Sequence, residues 1–442
     1  MSAMGDASGP ESPPRPPRGW RGRLGLHGGV GALAGALFGF GFGQELWARY
    51  LPAYLRAMGA SAFTVGAYGT LRDLLDAAYA YPGGVLSDRL GSRRALLLFA
   101  LLTCGGIGIY LLAPSIPGVF AGMVLVMAWP ALGLPATFAL VGEELRGGGR
   151  LRGFTVQAVL KRVPIVLAPP LGGWLIARHG MAGGMRRSFA ASLILCLLLL
   201  WLMARAFGAG RARTDSAPAG PRARAVLHPA LRRLLVADCL VRLCEGLPDV
   251  FLVLWALEVV GVSPPQFGLL TSILMATAIV SYAPAALLAE RAEKKPFVVL
   301  TYVFFTLFPL AVMSSRSFAA LAAAYVVGGL REIGEPARKA LIVDLAGAEP
   351  GRAVGLYYAV RGFAVAGAAA VGGALWSIRP QLTFTVAVVL GAAGTAWAAI
   401  FLPRHAAAEP QEGPETTRDE PGTRRRHRGG DSAAAGVRRG PG

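Results

Sequence analysis

The sequence predicts an all-α membrane protein whose twelve transmembrane helices form two pseudo-symmetric six-helix bundles. Three observations carry that prediction. The chain has 442 residues, of which 54% are hydrophobic and only 16% charged, more apolar surface than a single water-soluble core can hide. Its apolar residues fall into twelve stretches of helix-spanning length, about 20 residues each. Its two halves also echo one another at a nearly constant spacing.

The apolar stretches lie near 30–56, 63–87, 94–113, 117–142, 153–178, 186–208, 232–259, 265–289, 296–314, 317–344, 351–376 and 380–402. The first is too long, and its flank too extended, for a cleaved signal peptide, so it is read as retained. Residues 1–28 and 404–442 are rich in Pro, Gly and Arg and read as disordered cytoplasmic tails. The domains expected between them are an N-terminal bundle over 29–208, a cytoplasmic linker over 209–231 and a C-terminal bundle over 232–403.

Charge sets the orientation. Connections 87–95, 143–152, 205–233 and 290–295 hold most of the Arg and Lys, while 113–117 and 259–265 hold none. Positive loops stay inside. Arg56, Arg178, Arg186, Arg187, Arg316 and Arg379 weaken this bias without reversing it. The chain is therefore expected in the cell membrane as a multi-pass protein with both termini cytoplasmic.

The formal charge of +19 raises nucleic acid as a partner. However, the basic residues sit in tails and between apolar runs, and no zinc-finger or RNP-type motif accompanies them. No nucleic-acid partner is expected. Lysine occurs only at Lys161, Lys294, Lys295 and Lys339, so the excess is arginine. Cys104, Cys196, Cys239 and Cys244 lie in apolar runs without CxxC spacing, and His27, His179, His228, His405 and His427 lie in tails or at segment ends. No disulfide framework, metal site or cofactor is expected. With no GxxxxGK[ST] loop and no nucleophile–base–metal constellation, neither an ATP-driven pump nor an enzyme is expected.

The duplication is legible in three places. "YPGGVLSDRLGSRR" is echoed by "APAALLAERAEKKP", which aligns Pro82 with Pro284, Asp88 with Glu290 and Arg89 with Arg291. "LPATFALVGEEL" is echoed by "EPARKALIVDL", and Gly172-Gly173 by Gly372-Gly373. Registers of 202, 201 and 200 positions, in chain order, indicate a repeat. A repeat of this size in a polytopic protein points to a transporter built from two six-helix units.

The stretch from Gly84 to Arg94, "GVLSDRLGSRR", resembles the loop between helices two and three of the major facilitator superfamily, whose pattern is G-x-L-a-D-r-x-G-r-[kr]; Ser92 departs from it. The resemblance covers about residues 30–403 and implies that superfamily's fold and alternating-access transport. In that setting Gly84 lets a neighbouring helix approach, and Gly91 permits a tight turn. Asp88 meets the positive end of helix eleven as a cytoplasmic gate. Arg89, Arg93 and Arg94 reach anionic headgroups, which makes membrane lipid a partner. A plain positive-inside loop explains the arginines equally well.

"APPLGG", Ala168 to Gly173, is similar to the G-P-x-x-G-G element of the superfamily's drug–proton antiporters, with Pro169 as a kink and Gly172 and Gly173 as packing surface. An ordinary small-residue seam is the alternative. Helix four lacks the arginine those antiporters carry there, whereas its repeat partner, helix ten, has Arg331.

Charged residues at membrane depth normally face a cavity and have partners. Those expected around a substrate cavity are Glu45, Arg72, Lys161, Arg242, Arg331 and Arg361, with Tyr79 and Trp129 shaping the remainder. Opposite charges at helical spacing suggest pairs within one helix: Glu45 with Arg49, Arg72 with Asp76, Arg242 with Glu245, Arg331 with Glu335 and Glu335 with Lys339. Arg49, Arg162, Glu332 and Arg338 are as well explained by charge neutralisation off the cavity face. Mixed signs fit a small ionised or zwitterionic solute, with arginine clamping a carboxylate or phosphate. Asp73 and Asp76, one turn apart, are the leading proton-coupling residues, since burial and mutual repulsion favour a carboxyl that loads and releases a proton. Glu245 and Glu335 come second.

The expectation is a monomeric, proton-coupled secondary transporter exporting a small organic molecule by antiport, with protons and that solute as partners. Symport or facilitated uptake of a polar or anionic solute is the alternative. A non-transporting membrane sensor is the reading from another class.

Overall fold

The computed structural model describes residues 29–132, 150–207, 227–291, 293–346 and 350–402. Helix forms at all twelve places where the sequence predicts a span, and the described residues contain no strand. Helix one comprises Gly29–Glu45, a 3-10 turn Ala48–Tyr50 and Leu51–Ala57; helix two is Ala62–Leu90; helix three is Ser92–Leu112. Helix four is Ile116–Val126 followed by a π turn, Ala128–Leu132. Helices five and six form one run, Arg150–Phe207, broken at Gly180, where φ is 73°. Helix seven comprises Pro229–Gly246, a 3-10 turn Asp249–Phe251, Leu252–Leu254 and a π turn Trp255–Val260. Helix eight is Pro264–Arg291, and helix nine is Lys294–Ser314. Helix ten is Phe318–Gly329, a 3-10 turn Leu330–Gly334 and Glu335–Asp344. Helix eleven is Pro350–Ala366 and Ala368–Ile378; helix twelve is Pro380–Phe401.

Six described stretches are long and apolar enough to cross a bilayer on those grounds alone, and one of them, Arg162–Ala206, contains two passes. Helices one, two, four, seven and ten fall outside that set: irregular turns or charges interrupt them, and the described part of helix four is a shorter apolar helix. The interruptions follow the repeat. The 3-10 turns at Ala48 and Asp249 begin 201 positions apart, and the turns at Ala128 and Leu330 begin 202 apart. The first helix of each three-helix unit is thus the broken one.

A broken helix frees backbone groups that hydrocarbon cannot satisfy. Neighbouring helices supply the partners. At helix four, the Thr103 hydroxyl of helix three accepts from the Trp129 amide at 3.1 Å and donates to the Val126 carbonyl at 3.2 Å. At helix ten, Thr301 of helix nine accepts from the Gly334 amide at 2.6 Å. Pro170 has no N–H to offer the Val166 carbonyl four residues earlier, and Ser272 of helix eight donates to that carbonyl. Thr70, at the position of helix two equivalent to Ser272, accepts from the Ala370 amide at 3.0 Å, near the break in helix eleven.

The two halves meet in a matched way near the ends joined by short connections. Added Cβ atoms show how closely. One at Gly66 would strike the Ala369 carbonyl oxygen, and its repeat mate at Gly268 would strike that of Pro169. Within each half, Gly172 lies against the Leu46 carbonyl and Gly372 against that of Leu247. The hydroxyl of Tyr50 is buried between two carbonyls, 2.7 Å from Pro169 and 2.9 Å from Pro264. Helix two therefore seats on helix eleven, and helix eight on helix five.

Gly172→Ala should lower the thermal midpoint of the purified protein, because the methyl must displace main chain rather than a flexible side chain, at a cost of about 1–3 kcal/mol. Gly108→Ala, whose Cβ meets nothing within 4 Å, should leave the midpoint unchanged or raise it. Equal midpoints for the two variants would contradict the packing.

Candidate functional site

The breaks in the helices also bring the charges in. Glu45 precedes and Arg49 lies within the turn in helix one, Asp249 opens the turn in helix seven, and Arg331 and Glu332 lie within the turn in helix ten. Each side chain leaves its helix where regular packing is already interrupted.

A cavity of about 770 Å³ lies between the halves, lined by Asp73, Asp76 and Ala77 from helix two, Arg242 and Glu245 from helix seven, and a stretch of helix eleven from Gly355 to Ala366 that includes Tyr358 and Arg361. The helix-two wall therefore contributes acid alone, and the C-terminal wall contributes two guanidiniums with one carboxylate, Glu245. This volume is within the ~300–1,000 Å³ range of small-molecule sites.

On the helix-two side, Arg72 donates through Nε and Nη2 to Oδ1 of Asp73, at 3.0 and 2.9 Å, and through Nη2 to Asp249 at 2.8 Å. The expected Arg72–Asp76 pair is thus replaced by one to the adjacent acid and one across to helix seven. A guanidinium fork reaches two carboxylates more readily than it folds back one turn along its own helix. Asp76 has an interaction of its own.

The C-terminal half carries a chain of alternating charge. Asp238, fully buried, accepts from Arg338 at 2.8 Å, the Tyr357 hydroxyl at 2.8 Å, Arg361 at 3.2 Å and the Tyr302 hydroxyl at 3.3 Å. Arg338 also grips Glu335 with two bonds, at 3.1 and 2.8 Å. Glu335 in turn accepts from Arg242 at 2.7 Å, and Arg242 donates to Glu245 at 2.7 Å. Arg331 reaches Glu245 at 3.3 Å and the Gly328 carbonyl at 2.8 Å, with its guanidinium carbon 4.8 Å from the Phe305 and Phe308 ring centres. Arg361 lies 4.6 Å over the ring of Tyr358.

Of the pairs suggested by helical spacing, Glu45–Arg49 at 3.0 Å and Arg242–Glu245 at 2.7 Å form. Arg331 turns to Glu245 rather than Glu335, because Glu335 is already held by Arg242 and Arg338. Glu335 is bound on the same account, and Lys339 points to an exposed face. Arg162 pairs with Glu332 at 3.0 Å, joining helix five to helix ten across the halves. Asp238 escapes the sequence reading because it lies near the start of its span, where an acid passes for a boundary residue. Its i,i+4 spacing to Arg242 was the available signal.

The two aromatic candidates both make packing contacts. Trp129 is buried and stacks on Phe40 with ring centres 4.3 Å apart, a core contact made by the π turn that carries it. Tyr79 donates to the Val124 carbonyl at 3.0 Å and so packs helix two on helix four. In the gate motif, Gly91 adopts φ 80° at the turn as expected, whereas a Cβ on Gly84 would meet no described atom within 4 Å. Arg89 is exposed and Arg93 has a partner of its own. The side chains of Lys161 and Asp88 lie outside the described residues, as do the two tails and most of the linker. Pro169, Gly172 and Gly173 line helix-packing contacts, Gly173 against the Pro264 carbonyl. Among the described residues no group of His, Cys, Asp and Glu is placed to hold a metal.

Arg338→Met should leave Asp238 and Glu335 short of their strongest donor and destabilise the fold by about 3–5 kcal/mol. Asp344→Asn, which breaks the partly exposed Lys294–Asp344 pair at the helix ends, should cost no more than about 1 kcal/mol. Thermal unfolding of both variants beside wild type checks the contrast.

The family model described as Major Facilitator Superfamily matches residues 33–244 and 234–428. An enterobactin exporter of Citrobacter koseri (strain ATCC BAA-895 / CDC 4225-83 / SGSC4696) is 33% identical over 166 residues, covering 35% of this chain and 38% of that one. An uncharacterised MFS-type transporter of Mycobacterium tuberculosis (strain ATCC 25618 / H37Rv) is 28% identical over 141 residues, 32% of this chain and 33% of that one. The chain thus matches little more than a third of the length of these relatives. Among solved structures, the peptide transporter POT in complex with sulfate superimposes with a TM-score of 0.71 at 17% identity, covering 88% of this chain and 95% of that one. A POT family transporter in complex with 5-aminolevulinic acid does so with a TM-score of 0.70 at 16% identity, covering 88% and 97%. At these identities the likeness is one of fold.

Proposed function

Since the chain belongs to the Major Facilitator Superfamily, we propose that it is a proton-coupled secondary transporter that exports a small polar organic solute across the cell membrane by alternating access. The observation that carries this reading is the cavity between the halves, with Asp73 and Asp76 on one wall and Arg242 and Arg361 on the other. Such a site binds a solute where both halves touch it, and rocking the halves about it exposes it to one side and then the other.

The proposed state is open toward the arginine-rich loops, which are cytoplasmic by the positive-inside rule. The matched glycine contacts and Tyr50 close the opposite end, while a Cβ on Gly84 of the gate motif would meet no described atom within 4 Å. An ion pair across the closed end, Arg56 with Glu258 at 3.7 Å, belongs to the same state. A solute then enters from the cytoplasm, and a proton taken up outside by Asp73 or Asp76 resets the carrier. Both acids reach the cavity, and protonating Asp73 weakens its hold on Arg72, whose second bond ties the halves together through Asp249. Export is favoured by the enterobactin exporter among the partial relatives. Uptake by symport is the second reading, since the charged cavity walls fit a small polar solute moving in either direction.

Proteoliposomes holding a pH-sensitive dye test this. Adding amino acids, organic acids, peptides or phenolic acids in turn should produce solute-dependent proton movement with at least one class, lost to background in Asp76→Asn. Proton entry opposite to the solute identifies antiport, and entry with it identifies symport. Solute exchange without any proton movement would refute coupling.

A further inference from the structure

We propose that the cavity selects zwitterions, binding the cationic group of the solute at Asp73 and the anionic group at Arg361, with Asp238 holding Arg361 in place until the solute arrives. This rests on the transport reading above and assigns the substrate class to the same cavity.

The cations near the cavity differ in how firmly they are held. Arg242 is bonded at 2.7 Å to both Glu245 and Glu335. Arg331 is fixed by Glu245, the Gly328 carbonyl and two aromatic rings, and it does not line the cavity. Arg361 lines it with one ion pair among the described residues, Nη1 to Asp238 at 3.2 Å, and lies over the Tyr358 ring. Asp238 does not depend on that bond. It keeps Arg338 and the Tyr357 hydroxyl, both at 2.8 Å, so Arg361 can turn to a ligand without leaving a buried carboxylate unpaired. A guanidinium then offers two parallel bonds to a carboxylate or phosphate.

Asp73 is the counterpart on the other wall. Both bonds from Arg72 fall on Oδ1, while Arg72 is shared with Asp249, and Asp73 lines the cavity. Its Oδ2 is the oxygen assigned to the ammonium of the solute. A singly charged molecule would engage only one wall and gain one ion pair in this low-dielectric space, whereas a zwitterion gains one at each wall. The two walls also belong to different halves, so a molecule with both charges bridges helix two and helix eleven across the cavity, away from their glycine seat.

The test uses the full chain in nanodiscs and three skeletons: an aromatic amino acid, an ω-amino acid and a dipeptide. Each is supplied as the zwitterion, as its amide carrying only the cation, and as its N-acetyl form carrying only the anion. Calorimetric titration should find at least one zwitterion that binds, with both derivatives roughly tenfold or more weaker. Arg361→Gln should bring that zwitterion down to its amide, and Asp73→Asn should bring it down to its N-acetyl form. Arg361→Lys should retain preference for the anion, which separates loss of charge from loss of fold. Derivatives binding within twofold of every zwitterion, an unchanged order in Arg361→Gln, or no binding by any compound to protein with a wild-type thermal midpoint would each overturn the proposal. The same compounds in proteoliposomes separate the two levels. Charge-selective binding without flux refutes transport and leaves the site, whereas flux indifferent to charge refutes the site and leaves transport.

Discussion

Hydrocarbon offers no hydrogen bond, and this constraint orders the molecule. Five of the described spans, helices one, four, seven, ten and eleven, are interrupted, and each interruption exposes main-chain groups that would otherwise cost several kcal/mol apiece in lipid. Side-chain hydroxyls from the adjacent helix meet several of them: Thr103 at helix four, Thr301 at helix ten, Ser272 at the proline-freed carbonyl of helix five, and Thr70 at helix eleven. Since donor and acceptor lie on different helices, a broken helix is stable only against its own neighbour. The same contacts that permit irregular backbone therefore fix which helices touch.

The charges obey the same rule with larger energies. Seven ionisable side chains of the C-terminal half form one connected system around Asp238, Glu335 and Glu245, in which every acid is shared by at least two arginines. Sharing removes the penalty of an unpaired buried ion and leaves the arginines in excess over the acids. The wall that this half presents to the cavity is accordingly electropositive, and the wall of helix two is acidic. The asymmetry is imposed on a nearly symmetric backbone: Thr70 and Ser272 are repeat mates, but Arg72 and Asp73 have no charged counterparts one repeat further on.

Spans, duplication and gate turn were legible because each is written in composition or in local spacing. Twelve apolar runs need no knowledge of partners, and Gly91 announces its turn by being glycine. The charged residues were legible as depth anomalies, but their partners were not. Helical spacing addresses only the helix a residue sits on, so it found Glu45–Arg49 and Arg242–Glu245. It missed Arg72–Asp249, Arg162–Glu332 and Arg338–Asp238, whose members are brought together only by the packing of separate helices. The setting of Trp129 was likewise not legible, because a π turn inside helix four changes the face on which its residues lie.

The break at Gly180 has a mechanical consequence. A single residue outside helical geometry joins helices five and six, leaving no slack to absorb relative displacement. Helix five bears on the opposite half through Gly173 and Pro264, and helix six holds helix one through the Ser192 hydroxyl at the Gly43 carbonyl. Any parting of the halves at this end is transmitted along a stiff lever from the interface to the back of the bundle. The N-terminal bundle must therefore tilt as one body instead of yielding helix by helix.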